Sequence, residues 1–236
     1  MNATLVIWRK ELAVYLVSSL AWVFLALFLF VAGVFFYLGV TLTGEASLRV
    51  LVGNLGITLM FFLPLLTMRH FAEERRQGTL ELLLTSPVPL GSIVVGKWLA
   101  SLTICLVMLA GTGVFPAVLA YYGDPDWGVV FTSYLGLVAV SAGFCAAGLF
   151  ASSLTDDSVA AGLIGVVILL PFWLIGRAEA LVPDEWAELL RPLAFLTHLQ
   201  SFDRGVVDTA DVAWFAVFTV CFLFLTWRSL ESRRWR

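Results

Sequence analysis

Leu12 to Gly44 reads LAVYLVSSLAWVFLALFLFVAGVFFYLGVTLTG, 33 residues without one Asp, Glu, Lys or Arg. A hydrocarbon core about 30 Å thick is crossed by roughly 20 apolar helical residues, so this run exceeds one span. We read residues 20–42 as a transmembrane helix and residues 2–19 as an N-terminal helix lying in the membrane interface. There Trp8 and Tyr15 suit the headgroup level, and Arg9 and Lys10 face water. The stretch is far too long for the apolar region of a cleavable leader, and Ser18–Ser19 is a poor cleavage site, so it is expected to be retained. Outward from it, charge-free runs recur at Val50–Met68, Trp98–Gly123, Trp127–Thr155, Ser158–Gly176 and Val212–Trp227. They place five more spans near 50–68, 93–121, 129–151, 159–176 and 212–228. The whole chain is 61% apolar and 13% charged, with a mean hydropathy of +0.96. A soluble domain is nearer half apolar and a quarter charged, so soluble enzymes, nucleic-acid binders and secreted disulfide scaffolds are excluded. The expected fold is all-α, a single polytopic membrane domain over residues 1–236 with six transmembrane helices.

Six spans return the chain to its starting side. Of the 14 basic residues, ten fall on the side of the termini: Arg9, Lys10, Arg69, Arg75, Arg76, Lys97, Arg228, Arg233, Arg234 and Arg236. Only Arg49, Arg177, Arg191 and Arg204 fall on the other. Basic residues near span ends stay in the cytoplasm, so both termini are expected there, with the spans in a bacterial or archaeal cytoplasmic membrane. No ionisable side chain is expected at mid-membrane depth, which disfavours a proton-coupled transporter or an intramembrane enzyme. Cys105, Cys145 and Cys221 each lie within a span and read as small hydrophobes. His70 and His198 fall in loops on opposite sides, so no metal site is expected. Pro64, Pro116 and Pro171 sit inside spans, which points to bundled helices whose neighbours satisfy the freed carbonyls. Ala139, Gly143, Ala147 and Ala151 recur every fourth residue along span four, and Ala161–Gly165 repeats the spacing in span five. Such a stripe serves close helix packing, either within the bundle or at a subunit interface.

Two features imitate chemistry. Gly91–Ser92–Ile93–Val94–Val95–Gly96–Lys97 has the glycine and lysine spacing of a phosphate-binding loop, but Trp98 stands where a magnesium-holding hydroxyl is needed. Lys97 reads instead as a snorkelling anchor at a span end. The acidic pairs Glu73–Glu74 and Asp156–Asp157 diverge around a helix and lack a nucleophile or His in a catalytic arrangement. They read as solvated charge, with Asp156–Asp157–Ser158 also suited to capping span five. No catalytic residue is assigned.

The loop between spans two and three is different. It reads Arg69–His70–Phe71–Ala72–Glu73–Glu74–Arg75–Arg76–Gln77, then Gly78–Thr79, then Leu80–Glu81–Leu82–Leu83–Leu84–Thr85–Ser86–Pro87. A charged helix breaks at Gly78, Thr79 can cap a second apolar helix, and Pro87 and Pro89 end it. A short helix with charged and apolar flanks suits docking into a groove of a partner, or lining the bilayer. The pattern Glu-Glu-Arg-x-x-Gly-Thr-x-Glu-x-Leu-Leu-x-x-x-Pro, from Glu73 to Pro87, resembles the corresponding loop of type-2 ABC exporter permeases, the ABC-2 family. The likeness is greatest to the gliding-motility-associated permease branch. It extends through Lys97, the Gly123–Asp124–Pro125–Asp126 turn and Phe195–Leu196–Thr197–His198 to Gly205–Val206–Val207–Asp208.

The resemblance implies a function. Residues 69–90 would form the cytoplasmic coupling loop that seats in a separate cytosolic ABC ATPase subunit, with Glu73, Glu74, Arg75, Gly78, Thr79, Glu81 and Pro87 as coupling residues. Residues 1–19 would form a connecting helix beside it. Residues 177–211 would form an extracytoplasmic loop with short helices dipping toward the membrane, Pro183 to Leu190 among them. ATP and magnesium would be bound by the partner subunit, and no cofactor by this chain. A second permease copy or a related permease would complete the pathway, with membrane lipid around it and an extracytoplasmic partner as a further option. The expected role is the membrane-spanning permease of an ATP-driven exporter. A membrane anchor or scaffold passing ATPase-driven motion to envelope proteins is the alternative.

Overall fold

The computed structural model describes residues 2–43, 49–85, 87–123, 125–178 and 191–234. Among the described residues every regular element is helical. The chain begins with α1 (Ala3–Val17), turns at Ser18 and continues as α2 (Ser19–Thr43). Then come α3 (Arg49–Thr67), α4 (Arg69–Arg76), α5 (Thr79–Thr85), α6 (Leu90–Thr112) and α7 (Val114–Tyr122). The long α8 (Trp127–Leu154) and α9 (Ser158–Ala178) follow. After a 3₁₀ turn at Arg191–Leu193, α10 (Phe195–Asp203) and α11 (Thr209–Arg234) complete the chain.

Six tracts are long and apolar enough to cross a membrane: Ser19–Thr41, Leu51–Arg76, Leu90–Tyr121, Trp127–Leu154, Ser158–Gly176 and Thr209–Arg233. Each overlaps one of the six spans read from the sequence, the second running on through α4 to Arg76 where the sequence reading ended at 68. The third is two helices rather than one. Pro116 has no amide hydrogen to return to the Thr112 carbonyl, and the helix re-forms one residue after Thr112 with Gly113 as its joint. The Thr112 hydroxyl there meets Tyr134 Oη at 2.9 Å.

α8 forms the axis of the bundle, touching α3, α4, α6, α9, α10 and α11, whereas α2 is the least buried span. The Asp126 carboxylate caps α8, accepting the amides of Gly128 at 2.9 Å and Val129 at 3.4 Å. Asp157 caps α9 in the same way, accepting from Val159 at 2.7 Å and Ala160 at 3.1 Å, in line with the capping role expected of that acidic pair. Of the small-residue stripe, Gly143, Ala147 and Ala151 are buried and Ala139 packs partly buried against the core. A Cβ on Gly143 would come within 2.9 Å of Phe218 in α11, so close approach requires the glycine.

Candidate functional site

Where α3 ends, the chain makes a tight elbow. α4 stops as the Gln77 amide donates to the Glu73 carbonyl and the Gly78 amide to the Arg75 carbonyl, both at 3.0 Å. Gly78 then takes φ +70°, a left-handed backbone that glycine adopts without steric cost. No atom lies within 4 Å of a Cβ built there, so it is the conformation and not space that calls for glycine. Thr79 does not cap α5 as expected. It is the first residue of that helix, and its hydroxyl donates back to the Glu74 carbonyl at 3.1 Å, helping to close α4.

The elbow rests on its own small apolar core. Phe71 and Leu80 pack with Leu90, Ile93 and Val94 at the start of α6, Leu149 late in α8 and Leu230 late in α11. Arg75 Nη1 donates to the Leu154 carbonyl at 3.2 Å, and Arg233 Nη2 reaches the same oxygen at 3.3 Å. Two guanidinium groups thereby serve the C-terminal end of α8, where the helix dipole favours cations. Glu81, Thr85 and Pro87 are exposed, and Leu82 is 73% exposed.

The second part of the site is a buried ionic cluster. Lys97 is only 1% exposed. Its Nζ donates to Glu11 Oε1 at 2.9 Å, Glu74 Oε1 at 2.7 Å and the His70 carbonyl at 3.1 Å. These three acceptors satisfy the three ammonium donors. Lys97 is therefore not a snorkelling anchor: it lies in the second turn of α6 with Ile93, Val94, Ala100 and Ser101 all buried around it. Glu74 is likewise not a solvated loop charge. The Glu73–Glu74 pair does diverge, with Glu73 facing Arg69 at 3.8 Å. Lys10 stands at the rim, 3.7 Å from Glu11 and 3.8 Å from Glu74.

His70 is helical and buried rather than placed in a loop. Its Nε2 lies 2.6 Å from Ser101 Oγ and 3.0 Å from Tyr15 Oη, and its Nδ1 3.5 Å from Glu11 Oε2. The Tyr15 hydroxyl donates to the Leu66 carbonyl at 2.9 Å, and the Trp8 indole donates to Thr103 at 3.0 Å. Both aromatics of α1 thus turn toward the protein, not toward a headgroup layer. Burial works to raise the Glu11 pKa, but hydrogen bonding to His70 and the charge of Lys97 outweigh it and hold the carboxyl well below the usual carboxylate range. Burial pushes the Tyr15 phenol well above its usual value. The cluster ties three elements that are remote in sequence: α1, the α4–α5 elbow and α6. Ile7 reinforces the α1–α6 contact, since a Cβ on Gly96 would meet it at 2.9 Å.

At the other end of α8 a different arrangement closes the bundle. The described part of residues 177–211 is not a plain loop: α10 buries Phe195, Leu199 and Phe202. Phe195 is ringed by Phe144, Phe172, Trp214 and Phe218, with centroids 4.9–5.7 Å away. His198, also helical, has Nδ1 2.6 Å from Asp211 Oδ1 and Nε2 3.0 Å from the Pro192 carbonyl, and stacks on Trp214. Pro183 to Leu190, expected to be a short amphipathic helix, lies outside the described residues.

Of the seven coupling residues expected from the sequence, Glu74 and Arg75 turn inward as anchors, Gly78 is the hinge, Thr79 is exposed but closes α4 through its hydroxyl, Glu73 faces Arg69, and Glu81 and Pro87 are left outward. Glu11, Tyr15, His70, Lys97 and Ser101 were missed. The available signal was the depth of Lys97 within an already apolar helix. Among the described residues no group of three or more His, Cys, Asp or Glu side chains could hold a metal. Cys105 and Cys145 are buried and Cys221 is exposed.

This architecture defines a multi-pass helical membrane protein with a small amphipathic elbow anchored at one end of its bundle. The chain belongs to the ABC-2 family of transporter proteins, whose family model matches residues 5–203, from α1 through α10. That family consists of membrane transport subunits that generally pair with an ABC ATPase subunit. No curated protein matches the chain.

Proposed function

We propose that this chain is the permease subunit of an ATP-driven exporter in the cytoplasmic membrane, with both termini and the α4–α5 elbow in the cytoplasm. It works with a separate cytosolic ATPase, which holds ATP and magnesium, and with a second permease, identical or related. The motifs from Glu73 to Asp208 that resemble the gliding-motility-associated branch support a membership there. The observation that carries the reading is the division of the elbow into two faces. Its inner face is bonded to α1, α6 and α8 through Glu74, Lys97 and Arg75. Its outer face presents Leu82, 73% exposed, beside exposed Glu81 and Pro87. A half-turn of apolar side chain on a rigid mount is suited to seating in a groove of a partner protein. Closure of the ATPase would push on that outer face, and the bonded inner face would pass the displacement to α1 and α6. This gives Glu73, Glu81 and Pro87 a role at the contact and Glu74, Arg75, Gly78 and Thr79 a role in holding it.

Purification of the tagged chain from its native membrane in mild detergent tests the reading. A stoichiometric cytosolic ATPase is expected to accompany it and to be lost in Leu82→Arg. A Lys97→Met variant that still inserts is expected to keep the ATPase but lose ATP-dependent transport. A chain that purifies only with itself, under conditions that preserve such complexes, would overturn the proposal. Retention of transport by a variant that no longer binds the ATPase would do the same. Motion passed to an envelope protein without cargo is the scaffold alternative. It would show as an extracytoplasmic partner that co-purifies, together with ATPase activity and no transported molecule.

A further inference from the structure

At the end of the bundle away from the elbow, the partners of His198 fix where protons must be. Its Nδ1 lies 2.6 Å from Asp211 Oδ1, and its Nε2 lies 3.0 Å from the Pro192 carbonyl. A backbone carbonyl only accepts, so Nε2 carries a hydrogen. A contact as short as that between Nδ1 and a carboxylate oxygen also needs a proton between the two atoms. Whether this proton sits nearer Nδ1 or Oδ1, the pair holds one proton more than a neutral imidazole and an ionised carboxylate would. The third neighbour agrees. The Trp214 ring lies over the imidazole with centroids 4.7 Å apart and planes 23° from parallel, and an aromatic face attracts a cation.

Among the described residues, Asp211 is the charged side chain joined to His198. α8 carries no charged residue, and where α8 and α9 meet α10 they present Phe144 and Phe172 to Phe195. Asp208 accepts the Ala210 amide at 2.9 Å, and Asp203 and Arg204 lie more than a turn further along α10. Arg177 stands near the end of α9, and Arg191 precedes Pro192 in the chain. The His198 and Asp211 side chains are 14% and 11% exposed, open enough to exchange a proton with water. The three bonded groups come from three elements: the exposed Pro192 from the Arg191–Leu193 turn, His198 from α10 and Asp211 from the first turn of α11.

We propose that His198 is a proton-dependent clasp, which fastens the Arg191–Leu193 turn to α10 and α11 in acid and releases it as the pH rises. Loss of one proton leaves a single N–H for two acceptors. The bond to the carboxylate is charge-assisted and the stronger of the two, so the remaining hydrogen stays on Nδ1. Nε2 then turns a lone pair toward the Pro192 carbonyl, and the two repel. The turn is what lets go, because α10 has other holds. It buries Phe195, Leu199 and Phe202, and the Thr132 hydroxyl donates to the Phe202 carbonyl at 2.9 Å. The clasp requires neither an ATPase nor a cargo, so it stands apart from the exporter reading.

Two measurements on the full chain in lipid nanodiscs test the clasp, each from about pH 5 to about pH 9, which brackets the imidazole range. The chain has two histidines, so ¹⁵N-histidine spectra can follow His198, with His198→Gln identifying its signals. A nitroxide on Leu193→Cys reports the turn and one on Gln200→Cys reports α10, in chains whose exposed Cys221 is replaced by Ala; Cys105 and Cys145 are buried. In acid the His198 ring is expected to carry hydrogen on both nitrogens. As it loses one, the ratio of mobile to immobile label at Leu193 should rise about tenfold, as for loss of one hydrogen bond, while the label at Gln200 stays as it was. His198→Gln should make the turn indifferent to pH, and Asp211→Asn should move the release toward acid. Should His198→Gln not fold, Asp211→Asn carries the test. A turn equally immobile at both ends of the range, a release unchanged in these variants, or a ring with one hydrogen throughout would overturn the proposal. So would equal loosening at Gln200, which would mean that α10 itself comes away.

Discussion

Lys97 shows how one residue can hold a region together and still read as a bystander. Its ammonium sits between two carboxylates at 2.9 Å and 2.7 Å, away from water, and the charges offset one another only as a set. Lys97→Met leaves Glu11 and Glu74 facing each other without their cation. Removing one partner of a buried pair typically costs about 3–5 kcal/mol. Denaturant unfolding in detergent should show a loss of that order, and Lys97→Met combined with Glu11→Gln and Glu74→Gln should recover most of it. Acid acts on the same group. Glu11 has its pKa depressed in the folded protein, so it contributes stability above its unfolded value, about 4.3. That contribution is lost as the pH falls below this value toward the folded one. Unfolding temperatures measured from pH 7 down to pH 3 should fall more steeply for the natural protein than for Glu11→Gln. Little of this was legible in the sequence, because Lys97 lies 86 residues from Glu11 and 23 from Glu74. A pairing across such distances leaves no periodic mark. What the sequence did hold was depth: seven helical residues, Leu90 to Gly96, precede Lys97 in α6, too many for a side chain at a span end.

At the scale of elements, the sequence is legible wherever the cause is local. Hydropathy summed along a helix locates a span, so all six were found, with only the far end of the second, Leu51–Arg76, lying well beyond the residue 68 expected, and Asp157 next to Ser158 marked the start of α9. The break at Gly78 was legible for the same reason, since a left-handed residue ends a helix whatever surrounds it. The burial of α10 was not, because Phe195 is held by side chains of α8, α9 and α11 that meet only in the fold. Span three likewise looked continuous until Pro116 was seen to divide α6 from α7. The hinge itself makes a prediction. Proline is confined to φ near −65°, whereas Gly78 takes +70°, so Gly78→Pro must redirect α5 relative to α4. The six spans do not depend on that turn, and the chain should still insert and resist extraction from the membrane at alkaline pH. ATP-dependent transport in vesicles should be lost, because Leu82 then points away from the direction that Arg75 and Lys97 brace. Full transport by this variant would show that the elbow is not the coupling element.

For the whole molecule, the two ends of α8 divide the labour, and orientation decides whether that division can work. The elbow braces on Leu154 at one end, and α10 braces on Thr132, whose hydroxyl donates to the Phe202 carbonyl at 2.9 Å, near the other. Twenty-two residues of helix at about 1.5 Å each separate Thr132 from Leu154, so the two sites stand roughly 33 Å apart, about the thickness of a hydrocarbon core. They must therefore face opposite sides of the membrane. The buried stripe on α8 also bears on assembly. Gly143, Ala147 and Ala151 already pack inside the chain, so the second permease we propose would meet a face other than this one. The proposed orientation rests on the basic residues, which the sequence reading assigns ten to the side of the termini and four to the other. Green fluorescent protein fused at either terminus should fluoresce. Alkaline phosphatase fused after Gly123, between α7 and α8, should be active, and the same enzyme fused after Gly78 should not. The reverse pattern would put Leu82 and its brace outside the cell, beyond reach of any cytosolic ATPase. The exporter reading would then fall.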